Sequence, residues 1–158
     1  MIIYLEGGGL DGVIHAAAGP QLLGELKKLV PDRTQTAEVV TTKGYNTGYK
    51  HILHVAGPIY SVSKQEDCRR LLEATYRNVI KEADSLKYVK ELGIASISTG
   101  IYGYPLKEAA NIAIETVANE LSQSQNLQTV IFAMFGEEEF KVFTKAYDQW
   151  KDKFQKDL

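Results

Sequence analysis

Asp11 is the first residue of this chain placed where an acid could do chemistry. It sits in the stretch Glu6-Gly7-Gly8-Gly9-Leu10-Asp11-Gly12. Three consecutive glycines cost backbone entropy, and a fold rarely carries them unless something must approach the main chain closely. Glycines between a strand and a helix let backbone N–H groups turn inward as an anion nest, and the helix N-terminus adds partial positive charge. The spacing is neither G-x-G-x-x-G nor a Walker A loop, since no Gly-Lys-Ser/Thr follows. A second stretch, "STGIYGYP" (98–105), has a related design. Ser98, Thr99 and the N–H groups around Gly100 and Gly103 suit a second phosphate, and Tyr102 supplies an aromatic wall. Either loop alone reads equally well as a packing turn. Two of them at strand ends point to a split site for a diphosphate.

The other reactive side chains are less specific. Asp11 reads as a general base or as an acid that merely suits the start of a helix. His15, on an apolar-looking helix, reads as a packed or hydrogen-bonded core residue. His51 and His54 are three apart in a strand, so they face opposite sides and make poor joint metal ligands. No Cys/His cluster has the spacing of a zinc site. Cys68 lies among charges on a helix with no catalytic histidine signature nearby, and reads as structural. Tyr45, Tyr49, Tyr102 and Tyr104 could stack on a base, or pack as tyrosines in strands and loops do.

These groups need a scaffold, and the hydrophobic pattern supplies one. "MIIYL" is a short apolar run read as a strand, followed by a small-residue helix over 10–18 and a turn or helix from Pro20 to Leu29. Two strand-like runs, 37–42 and 51–57, flank a Gly- and Asn-containing turn. Ser63 and Glu66 fit a capping box before a long helix whose apolar positions are Leu71, Leu72, Thr75, Val79 and Ala83. A strand over 91–100 runs into the second loop, and Pro105 opens an amphipathic helix. The last strand spans 128–135, and a charged terminal helix follows whose charges read as a solvated face. Alternating strands and helices predict one α/β domain over 1–158, with a mixed, partly parallel sheet covered on both faces.

Composition narrows the setting. With 18 Lys+Arg against 20 Asp+Glu the net charge is -2, and no basic stretch offers a phosphate-backbone footprint, so no nucleic-acid partner is expected. A lone cysteine cannot form an internal disulfide, which suits a reducing, cytoplasmic compartment. The start has no basic n-region, and no apolar run approaches the ~18 residues of a membrane span.

Three stretches together resemble the macrodomain family, the ADP-ribose-binding, Appr-1''-p-processing-like fold. They are "GGGLDGVIHAAAGPQLLGE", "TKGYNTGYKHILHVAGP" and "SISTGIYGYPLKEAA", and the similarity covers residues 6 to about 135. The resemblance implies a three-layer α/β/α fold and binding of ADP-ribose or a related nucleotide diphosphate, with no cofactor and no metal. It also implies that one branch hydrolyses ADP-ribose esters. By matched position, Gly7, Gly8, Gly9 and Gly12 would line the diphosphate and distal ribose. Ser98, Thr99, Gly100, Ile101, Tyr102 and Gly103 would grip the diphosphate from the other side. Asp11 matches the carboxylate that positions or activates water in the hydrolase branch, and Phe135 falls near an aromatic that stacks on adenine.

The chain also departs from the family pattern, in which two strands, an adenine-contacting acid and an Asn-Ala-Ala-Asn motif precede the glycines. Only "MIIYLE" stands there, so the expectation is a truncated family member lacking its first strand or strands, with "MIIYL" serving as the central strand. Without the ribose-positioning Asn, binding is favoured over hydrolysis. The uncovered sheet edge would invite pairing, and hence a homodimer. Three functions follow in order: an ADP-ribose binding module, an ADP-ribosyl hydrolase using Asp11, and a degenerate macrodomain with a structural or interaction role.

Overall fold

The computed structural model describes the backbone of Ile2–Ile3 and all of residues 9–158. The elements run β1 (Ile2–Ile3), α1 (Gly9–Ala18), α2 (Pro20–Leu29), β2 (Val39–Lys43), β3 (His51–Val55), α3 (Gln65–Ser85), β4 (Glu91–Ile94), α4 (Leu106–Gln123), β5 (Thr129–Phe132) and α5 (Glu137–Lys156). β1 lies parallel to β3 with Ile3 opposite His54, so part of the opening apolar run is a sheet strand, as its composition predicts. β2 pairs antiparallel with β3, and β4 pairs parallel with β5.

Side chains alternate across β3 and so divide between two layers. Ile52 joins Ile14, Ala18, Leu22 and Leu26 beneath α1 and α2. Leu53 and Val55 join the larger cluster that includes Leu72, Tyr76, Val79 and Ile80 of α3, Leu92 and Ile94 of β4, Ala109 and Ala113 of α4, and Phe143 of α5. Helices therefore cover both faces, the three-layer α/β/α arrangement expected from the alternation of elements.

Local differences have physical causes. The predicted capping box at Ser63 does not form. A 3-10 turn over Val62–Lys64 precedes α3, and the Ser63 hydroxyl pairs with that of Ser61 at 3.0 Å. The buried seam of α3 is Cys68, Leu72, Thr75, Tyr76, Val79, Ile80 and Ala83, whereas Leu71 is 39% exposed. The turn between β2 and β3 contains a 3-10 helix over Tyr45–Thr47.

Candidate functional site

Strand direction brings the chemistry to one rim. Because β1 and β3 are parallel, the chain leaving each of them emerges at the same end of the sheet. The segment after β3 is tied to the segment after β4. The Tyr60 N–H donates to the Tyr102 carbonyl at 2.9 Å, and the Tyr60 and Tyr104 rings lie 4.9 Å apart. At the same junction a Cβ on Gly57 would collide with the Ser98 hydroxyl and the Ile97 side chain, so only glycine lets these segments meet so closely. β5 runs parallel to β4, so Phe135 reaches this rim too.

The loop after β4 is a closed turn. The Gly103 N–H donates to the Gly100 carbonyl at 3.0 Å, and the Tyr104 N–H to the Ser98 carbonyl at 2.9 Å. The Ser96 and Thr99 hydroxyls pair at 2.6 Å. Beneath the loop, the Ile97 N–H donates to the fully buried Tyr76 hydroxyl at 3.0 Å, and burial raises that phenol's pKa. Ser98 adopts φ 66, and its buried Oγ has no hydrogen-bond partner among the described residues. The N–H groups of Thr99, Gly100 and Ile101 likewise donate to no described group. Among the described residues, three successive N–H groups and a neighbouring buried hydroxyl are thus left without partners in this loop, a donor set of the kind that anion nests use.

At the start of α1, Asp11 is only 4% exposed, with Oδ1 3.3 Å from His15 Nε2 one turn along. A carboxylate at the first turn suits the helix dipole, and the adjacent imidazole can share or relay its proton. His15 is thus partly exposed beside Asp11 rather than packed in the core. His54, facing the same layer, is fully buried. Its Nε2 is 2.9 Å from Thr42 Oγ1, and its Nδ1 is without a partner among the described residues. Burial, with the positive potential of His15, lowers its pKa to about 4.

Of the residues singled out in the sequence, Gly7 and Gly8 lie outside the described residues. Gly9 and Gly12 fall in the first turns of α1, and Ser98 through Gly103 form the nest loop. Ile101 and Phe135 are 99% and 100% exposed, two apolar side chains standing uncovered at the rim. Tyr104 is buried and Tyr45 donates its hydroxyl to Glu25 at 2.6 Å, so neither is free to stack on a base. Burial pushes the Tyr104 phenol up to about 12. Gly57, Tyr60, Tyr76 and Thr42 were not singled out in the sequence, and His54 was weighed there only as a metal ligand. The only signal for them lay inside "HILHVAGP" and the α3 seam. Among the described residues no group of three or more His, Cys, Asp or Glu could hold a metal ion, and no helix is long and apolar enough to cross a membrane.

Comparison with known proteins agrees with this geometry. The Macro domain family model matches residues 3–113. The chain is 33% identical over 150 residues to an O-acetyl-ADP-ribose deacetylase of Salmonella newport (strain SL254), covering 94% of this chain and 83% of that protein. It matches the structure of the Oceanobacillus iheyensis macrodomain with ADP at TM-score 0.86 and 32% identity, over 96% of this chain and 85% of that one. A Trypanosoma brucei macrodomain in complex with ADP-ribose matches at TM-score 0.80 and 34% identity, over 91% and 60% of the respective chains.

Proposed function

The chain belongs to the macrodomain family, and on that premise we propose that it binds ADP-ribose or a related nucleotide diphosphate, with the diphosphate held between the 7–12 and 98–103 loops. The observation that carries this reading is the nest itself: unpaired N–H groups at Thr99, Gly100 and Ile101 beside the unpaired, buried Ser98 hydroxyl. A phosphate could accept from the loop N–H groups, and the N-terminus of α1, at the same rim, adds favourable potential. Ile101 and Phe135 supply apolar surface for the sugar or base. The solved relatives with ADP and with ADP-ribose support this ligand class.

Calorimetric titration tests the reading. Micromolar ADP-ribose binding with weaker ADP and much weaker AMP binding is expected. No heat at millimolar ADP-ribose would leave a degenerate macrodomain with a structural role. A second reading, ADP-ribosyl hydrolysis, rests on Asp11, which is buried in the first turn of α1 with Oδ1 3.3 Å from His15 Nε2. It predicts that Asp11→Ala abolishes release of ADP-ribose from an ester substrate while binding persists; equal turnover in both proteins would exclude it. A cytoplasmic setting fits the lone cysteine.

A further inference from the structure

The outward side of α5 is not the uniformly solvated face its charges suggest. Phe140, Tyr147 and Phe154 recur every seven residues and are 60%, 48% and 53% exposed, while Phe143 and Ala146 of the same helix are buried. Residues seven apart drift by only ~20° around a straight helix, so the three rings form one stripe about 21 Å long. The C-terminal part of the stripe is already braced. Trp150 stacks on Phe154 at 5.5 Å and 19°, and lies 5.9 Å from Tyr147. Rings held by one another lose little further freedom when a partner covers them. An apolar seam at a seven-residue repeat is the kind a second helix fills.

Charge selects that helix. The first turn of α5 carries Glu137, Glu138 and Glu139, of which Glu137 pairs with Lys141 at 3.1 Å, and its last turn carries Lys153 and Lys156. A parallel copy would set acid on acid and base on base. An antiparallel copy sets each acidic start over a basic end, opposes the helix dipoles, and brings Phe140 of one chain against Phe154 of the other. We infer that α5 is a self-association surface, pairing antiparallel with α5 of a second copy of this chain about a two-fold axis near Tyr147. This pairing is independent of nucleotide binding and needs no free sheet edge.

Site-directed cross-linking and sedimentation test it on the full chain. The native cysteine, Cys68, is 4% exposed, so an added surface cysteine is the reactive one. When Phe140→Cys and Phe154→Cys chains carrying different tags are mixed under mild oxidation, the mixed disulfide is expected to exceed either homodisulfide at least tenfold. Homodisulfides equal to or above the mixed product would overturn the antiparallel arrangement. Sedimentation velocity at tens of micromolar should show dimers for the native chain and monomers for Tyr147→Lys. A native monomer at every concentration, or a Tyr147→Lys dimer joined through the sheet edge, would overturn the proposal. Should Tyr147→Lys not fold, the cross-linking outcome decides alone.

Discussion

Ser98 carries two local costs at once. Its left-handed backbone is about 1–2 kcal/mol less favourable than the ordinary helical region for a residue with a Cβ. Its buried hydroxyl, without a partner, forgoes a further 1–3 kcal/mol, roughly. Costs of this kind persist where the surrounding structure over-determines them, and they gather at binding sites. Replacing Ser98 with glycine removes both, so Ser98→Gly should raise the melting temperature while weakening ADP-ribose binding about tenfold, read by calorimetry beside thermal melts. His54 makes a separate prediction. Its folded pKa of about 4 lies below the unfolded value of 6.5, so the unfolded chain takes up the proton first. The stabilisation is complete above pH 6.5 and is lost as pH falls toward 4, about 3 kcal/mol in all. Urea midpoints should drop over that window, and His54→Gln, which keeps a group able to bond Thr42, should lack that drop.

Among the elements, α3 has the least obvious role in the site. It touches no expected ligand, yet Tyr76 on its buried seam accepts the Ile97 N–H and so sets where the nest loop departs from β4. Tyr76→Phe leaves that buried N–H unpaired, at a cost of about 1–3 kcal/mol. ADP-ribose affinity should fall severalfold although no ligand contact is lost, and the circular dichroism spectrum should remain native. This residue also marks where sequence reading stops. The helices were legible because their apolar periods repeat, and the nest loop because Ser98 through Gly103 concentrates unusual residues in one stretch. The Ser63 capping box failed because a competing turn, invisible to a four-residue pattern, occupies 62–64. Leu71 was misplaced because it lies at the edge of the seam, where Cys68, Leu72, Thr75 and Tyr76 already fill the buried face. Tyr76 and Gly57 act on residues 21 and 41 positions away, and no local pattern reports a partner at that separation.

At the scale of the whole molecule, the described residues anchor the two layers unequally. Among them α1 and α2 rest on Ile14, Ala18, Leu22, Leu26 and Ile52, whereas α3, α4 and α5 share a much larger cluster. Segments with fewer buried apolar contacts open at lower free energy. Amides of α1 and α2 should therefore exchange with deuterium faster than those of α3 and α4, and ADP-ribose should slow exchange in α1 selectively, because Asp11 and Gly12 lie there. Mass-spectrometric exchange with and without ligand checks both. The braced rings of α5 have an optical consequence. Trp150 is the sole tryptophan, and it sits about 20 Å along its helix from the rim at Gly136. With α5 paired as proposed, the chain's intrinsic emission would be a gauge of molecularity. It should stay still while nucleotide is titrated and move to longer wavelength on dilution, as the indole regains water.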